Sequence, residues 1–232
     1  IEKLEKDSES DLSPKLQLLK IKALRKNNRF NAALEEIEIS EYPDFFKESF
    51  AMEKALVLYN LKKYKEAYPL LKDLYEKTGD DELFIFLCFT LIELDKISHV
   101  RKMLSKYRGE MLKSEYIPYI LGYIEMRESN KENAISYFYQ AITINQNFIP
   151  PYRKLSTLYF QRGNYLMTVD IIKRALKYEK MKRNDLYYFL ALSYLKLNKN
   201  YEALKYMKEA LRWNYKDSAE KISDIYKNLK LY

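Results

Sequence analysis

Residues 152–175 read YRKLSTLYFQRGNYLMTVDIIKRA. Tyr152, Leu155 and Tyr159 precede a lone glycine, Gly163. Tyr165, Thr168, Ile172 and Ala175 follow it, so apolar or small residues recur at spacings of three, four and seven on both sides of a turn. That spacing predicts helix, turn, helix. The small-residue position held by Thr168 recurs along the chain as Ala33, Ala67, Val100, Ala134, Thr168 and Ala203, at successive spacings of 34, 33, 34, 34 and 35 residues. A period in this range marks helix pairs that stack into a solenoid, because each pair leaves an apolar face that only its neighbour covers.

Dividing the chain at this period gives six repeats, at 14–47, 48–80, 81–114, 115–148, 149–183 and 184–217. Residues 1–13 are charged and read as a linker or N-terminal segment. Ser13-Pro14 reads as a helix start, with Ser able to cap and Pro at the first helical position. Residues 218–232 read as one further amphipathic helix that caps the open end. Pro69, inside the second helix of the second repeat, predicts a kink or a late start there.

Composition agrees with an all-helical chain. Hydrophobic residues make up 47% and charged residues 32%, while four Gly and six Pro in 232 residues are too few for a turn-rich β fold. No apolar run approaches the ~20 residues of a membrane-spanning helix.

These residues fill a pattern that resembles the tetratricopeptide repeat. Leu121-Gly122, Ala134, Phe138 and Ala141 occupy its positions in the fourth repeat, and Tyr187, Leu190-Ala191, Tyr194, Ala203 and Ala210 in the sixth. The closing Pro of the family pattern is missing from almost every repeat. The resemblance implies an all-α, right-handed superhelical solenoid of helix-turn-helix repeats that serves as a protein-binding scaffold. In that family the first helices line a concave groove through offsets two, five, nine and twelve of each repeat. Carried onto this sequence, the offsets give Phe89, then Tyr116, Tyr119, Tyr123 and Met126, then Arg153 and Phe160, then Tyr188 and Leu192. Such a surface suits a peptide, helix or domain of a partner protein.

Co-chaperone members of the family grip a chaperone's C-terminal tail with a clamp of Lys, Asn and Arg. The nearest alignment here offers Arg153, Thr157 and Phe189, with no Asn at the required offsets, which argues against that ligand.

Other chemistries find little to use. Cys88 is the one cysteine and His99 the one histidine, which leaves neither a disulfide nor an ordinary zinc set. Cys88 falls in the helix-approach position held elsewhere by Gly122, Ser156 and Ala191, and reads as a small apolar residue. The four glycines are isolated, so no phosphate loop exists. No catalytic constellation, metal site or cofactor is expected. A net charge of +8 raises a second reading, a basic adaptor for RNA or an anionic membrane surface through Lys15, Lys20, Lys22, Arg25 and Lys26. The chain opens Ile1-Glu2-Lys3 without Met, which fits a processed product. Cytoplasm, bacterial periplasm and cell envelope all stay open as compartments.

Overall fold

The computed structural model describes residues 13–107, 113–178 and 184–212. The expected N-terminal segment, apart from Ser13, and the expected capping helix at 218–232 lie outside the described residues.

Twelve α-helices follow one another among the described residues, joined in antiparallel pairs. The chain divides into two compact halves, Ile1–Gly109 and Glu110–Tyr232. In the first half α1 (Pro14–Lys26) pairs with α2 (Phe30–Ile39), α3 (Lys47–Asn60) with α4 (Tyr64–Thr78), and α5 (Asp81–Glu93) with α6 (Ile97–Lys106). In the second half α7 (Tyr116–Arg127) pairs with α8 (Lys131–Ile144), α9 (Ile149–Gln161) with α10 (Tyr165–Tyr178), and α11 (Asn184–Lys196) with α12 (Asn200–Arg212). A short 3-10 helix, Asp44–Phe46, leads into α3.

Each pair closes through the same turn. Asn28, Lys62, Asp95, Ser129, Gly163 and Asn198 all hold left-handed φ values between 58° and 72°. The amide that follows each of them donates back five residues: Arg29 to the Leu24 carbonyl, Lys63 to Leu58, Lys96 to Leu91, Asn130 to Glu125, Asn164 to Tyr159 and Lys199 to Tyr194, all at 2.8–2.9 Å. The left-handed residue itself donates to the carbonyl three before it, as Lys62 does to Tyr59 at 3.0 Å. These crossed bonds satisfy carbonyls that a helix end would otherwise leave unpaired.

Five residues after each left-handed position stands the recurrent small residue. Ala33, Ala67, Val100, Ala134, Thr168 and Ala203 are all fully buried. The position is small because the second helix of each pair is close-packed there, and nothing larger than Val or Thr occupies it.

In the first half a core of Leu18, Ile21, Ala33, Ile37, Phe50 and Val57 joins α1, α2 and α3. In the second, Phe138, Tyr152, Leu155, Ile171, Leu190 and Met207 belong to one cluster that runs from α8 to α12. Each fully buried Leu, Ile or Phe stabilises the fold by roughly 1.5–3 kcal/mol. Gly122 shows how tight the second half is, since a Cβ built there would lie 2.7 and 2.8 Å from ring carbons of Phe138.

Two local expectations change. Ser13 precedes Pro14 at the start of α1, but its hydroxyl makes no capping bond, and its carbonyl instead accepts from the amides of Leu16 and Gln17. Pro69 does not delay α4. The helix begins at Tyr64, its first turn closes with Ala67 donating to the Lys63 carbonyl at 3.0 Å, and Pro69 sits exposed one turn further in. The next junction is well capped: Gly79 ends α4 at φ 65°, and the Asp80 carboxylate accepts from the Leu83 amide at 2.9 Å to open α5.

Candidate functional site

The aromatic positions of the second half lie on α7, α9 and α11, the first helices of their pairs. On α7, Tyr116, Tyr119, Tyr123 and Met126 fall at steps of three, four and three residues, and all four are half-buried. Tyr116 and Tyr119 share one neighbour, Phe148, with ring centroids 4.9 and 5.3 Å away. Tyr119 also meets Phe138 at 5.8 Å. Burial pushes the Tyr119 phenol up to about 12, while the nearby positive charge of Arg153 pulls it partly back. Tyr119 is therefore anchored by its own chain, and Tyr123 has the Lys154 ammonium 4.4 Å from its ring centroid.

The face continues along α9 into α11. Phe160 packs edge-on against Tyr165 at 5.2 Å and against Phe189 at 5.3 Å. Tyr188 and Leu192, half-buried, pack against the core of this half. Arg153 is half-buried, and its carbonyl accepts from the hydroxyls of Ser156 at 2.8 Å and Thr157 at 3.0 Å. Phe89, half-buried on α5, belongs to the other half.

Three contributors escape the offset rule. Phe148, Lys154 and Phe189 all touch the offset residues, yet each lies at another position in its repeat. Lys154 directly follows an offset residue, and Phe148 precedes α9 by one. The Lys154–Tyr123 and Phe160–Phe189 contacts depend on packing between neighbouring repeats, whereas Phe148 meets Tyr116 and Tyr119 from the last position of their own repeat.

The basic positions of α1 are partly neutralised. Lys20 forms an ion pair with Glu36 of α2 at 2.7 Å. Arg25 is bound by Glu53 of α3, its Nε donating at 2.8 Å and a terminal nitrogen at 3.4 Å. Lys15 and Lys26 are exposed, and Lys22 is half-buried. Neither Glu36 nor Glu53 is marked in the sequence as a partner of α1, because both come from other helices.

Cys88 is fully buried, and burial pushes its thiol up to about 12, where it carries no nucleophilic thiolate at neutral pH. His99 is exposed on α6. Among the described residues, no group of three or more His, Cys, Asp or Glu could hold a metal ion. No described helix is long and apolar enough to cross a membrane.

The tetratricopeptide repeat family model matches residues 119–148 and 185–217. No curated protein matches the sequence. Among solved structures, a tetratricopeptide repeat protein from Parabacteroides merdae aligns with a TM-score of 0.67 at 16% identity, over 97% of this chain and 87% of its own. PilW, a type IV pilus biogenesis factor, aligns at 0.63 and 13% identity, over 90% of this chain and 97% of its own. A chain of the APC/C hetero-tetramer Cut9-Hcn1 aligns at 0.64 and 15% identity, with 90% of this chain covering 42% of that one. These are likenesses of fold, and the fold is one that supports protein-interaction scaffolds in general. The chain thus carries tetratricopeptide repeats at 119–148 and 185–217, within consecutive helix pairs that share the fold of that family.

Proposed function

We propose that this chain is a non-enzymatic scaffold that binds a segment of a partner protein along the face formed by α7, α9 and α11. One observation carries the reading: Tyr116, Tyr123, Phe160, Tyr188 and Leu192 fall at the four groove offsets on three first helices and remain half-buried. Isolated apolar residues on a surface are ordinary, but a continuous set of this kind is a recognition surface. Tyrosines supply contact area with little side-chain entropy to lose, and Arg153 and Lys154 favour acidic groups on the bound segment. The fold neighbours fit such a role, since one is described as part of a hetero-tetramer and another as a pilus biogenesis factor. Tyr119 acts as a support for Tyr116 and Phe148 rather than as a contact.

The alternative, adhesion of the basic α1 to RNA or an anionic surface, is weakened by Glu36 and Glu53. These acids already hold two of the five cations.

The test is a photo-crosslinking residue placed at Tyr116 or Tyr123, with the exposed Lys177 of α10 as control. The expected result is one protein captured from positions 116 and 123 but not from 177. Tyr116→Ser/Tyr123→Ser should then weaken binding of that purified protein at least tenfold with helicity unchanged. Equal capture from all three positions would sink the proposal, as would no capture at any of them.

A further inference from the structure

Exposed apolar side chains concentrate at the first helix pair. Of the nine large hydrophobic residues exposed among the described residues, five lie between Leu16 and Phe45, with Leu19 at 54%, Ile39 at 75% and Phe45 at 88% exposure. Leu16, Leu19 and Ala23 follow the i, i+3, i+7 spacing of one helical stripe, and all three are exposed, while Leu18 and Ile21 on the other side of α1 are buried. The antiparallel course of α1 and α2 brings Leu16, near the start of one, to the same end of the pair as Ile39, the last residue of the other.

Charge divides sharply over the same surface. Residues 14–26 carry five cations and no acid, and residues 35–48 carry six acids and one lysine. Lys20 and Glu36 already pair within the chain. Lys15 and Lys26, and likewise Glu38, Glu41 and Asp44, make no ion pair among the described residues.

From this we infer that two copies of this chain associate through their first helix pairs, with the basic, leucine-striped α1 of each copy against the acidic, aromatic segment 35–48 of the other. A surface that carries both a patch and its complement satisfies each contact twice around a two-fold axis. Opposite charge sets the orientation, and Leu16, Leu19, Ile39 and Phe45 supply the apolar area. Glu38, Glu41 and Asp44 would repel a phosphate-bearing surface brought against the same end, which favours a second copy over a bilayer or nucleic acid.

The test uses light scattering and sedimentation of the whole chain. At high micromolar concentration and low salt the native chain should show twice its 28.0 kDa mass. Lys15→Glu/Lys26→Glu and Glu41→Lys/Asp44→Lys change only exposed positions, so both variants should keep native helicity while each runs at 28.0 kDa alone. An equal mixture of the two should recover the doubled mass, because each swapped surface then meets its opposite. The inference is overturned by a native chain that stays at 28.0 kDa, by variants that keep the doubled mass, or by a mixture that stays monomeric. It is equally overturned if phosphatidylserine vesicles retain the native monomer through Lys15 and Lys26.

Discussion

Arg25 on α1 grips Glu53 on α3 across 28 residues of sequence, with the carboxylate only 4% exposed and the guanidinium 22%. A paired charge of this kind is costly to break, because removing one partner strands the other in a poorly solvated place. Arg25→Ala should therefore lower stability by about 3 kcal/mol in urea unfolding, whereas Arg25→Leu/Glu53→Leu should recover most of the loss. Equal losses in the single and double variants would mean that packing of the Arg25 stem, not the stranded carboxylate, sets the cost.

Gly122 should tolerate no side chain. A Cβ there meets the buried Phe138 ring below 3 Å and lies 3.2 Å from the Tyr137 Cβ. Gly122→Ala should cost roughly 1–3 kcal/mol as overpacking. The same register position holds Cys88 and Ala191 fully buried elsewhere. The effect thus belongs to the α7–α8 contact and should appear as a lower Tm with the denaturant slope unchanged.

The left-handed turns hold removable strain. Lys62 at φ 60° and Ser129 at φ 66° carry a Cβ where glycine would carry none. Lys62→Gly and Ser129→Gly should each raise stability by about 0.5–1 kcal/mol, the penalty of the left-handed conformation less the extra freedom of unfolded glycine. Asn28→Gly and Asn198→Gly should gain less, since Asn adopts this conformation readily. Calorimetric melting separates these outcomes, and an unchanged Tm in the Lys62 variant would disprove the strain.

Alkali should loosen the first half through Cys88. Its thiol ionises near 9.0 when unfolded but only near 12 in the fold, because burial disfavours the thiolate. The unfolded state therefore loses its proton first. The stabilising contribution is complete below pH 9.0 and declines as pH rises toward about 12. At pH 8 a disulfide reagent should modify the native chain only as fast as it opens, and rapidly in urea. Fast native labelling would show that Cys88 reaches solvent without unfolding.

Much of the fold could be read from residue types, and the limits of that reading have physical causes. Ala33, Ala67, Val100, Ala134, Thr168 and Ala203 announce the period because burial forces them to be small. Of the residues that make the turns, Gly163 alone declares itself. Asn28, Lys62, Asp95, Ser129 and Asn198 share no chemistry, since the backbone bonds of the turn, not their side chains, impose the left-handed shape. Pro69 does not set the start of α4, which begins five residues before it at Tyr64. At the candidate site, the offsets locate Tyr116, Tyr123 and Phe160. They say nothing of Phe148 over Tyr119, Lys154 over Tyr123 or Glu53 against Arg25, because those partners belong to other elements.

The crossed hydrogen bonds of the turns have a consequence for how such a chain can diverge. They tolerate almost any side chain but are indifferent to none in number: one residue added or lost between Leu24 and Arg29, or between Tyr159 and Asn164, would misalign donor and acceptor together. Substitution is thus cheap here and insertion expensive. Nearly all the letters of such a turn can change while its metre holds, so the helix pairs outlast exchanges that leave little of the original wording.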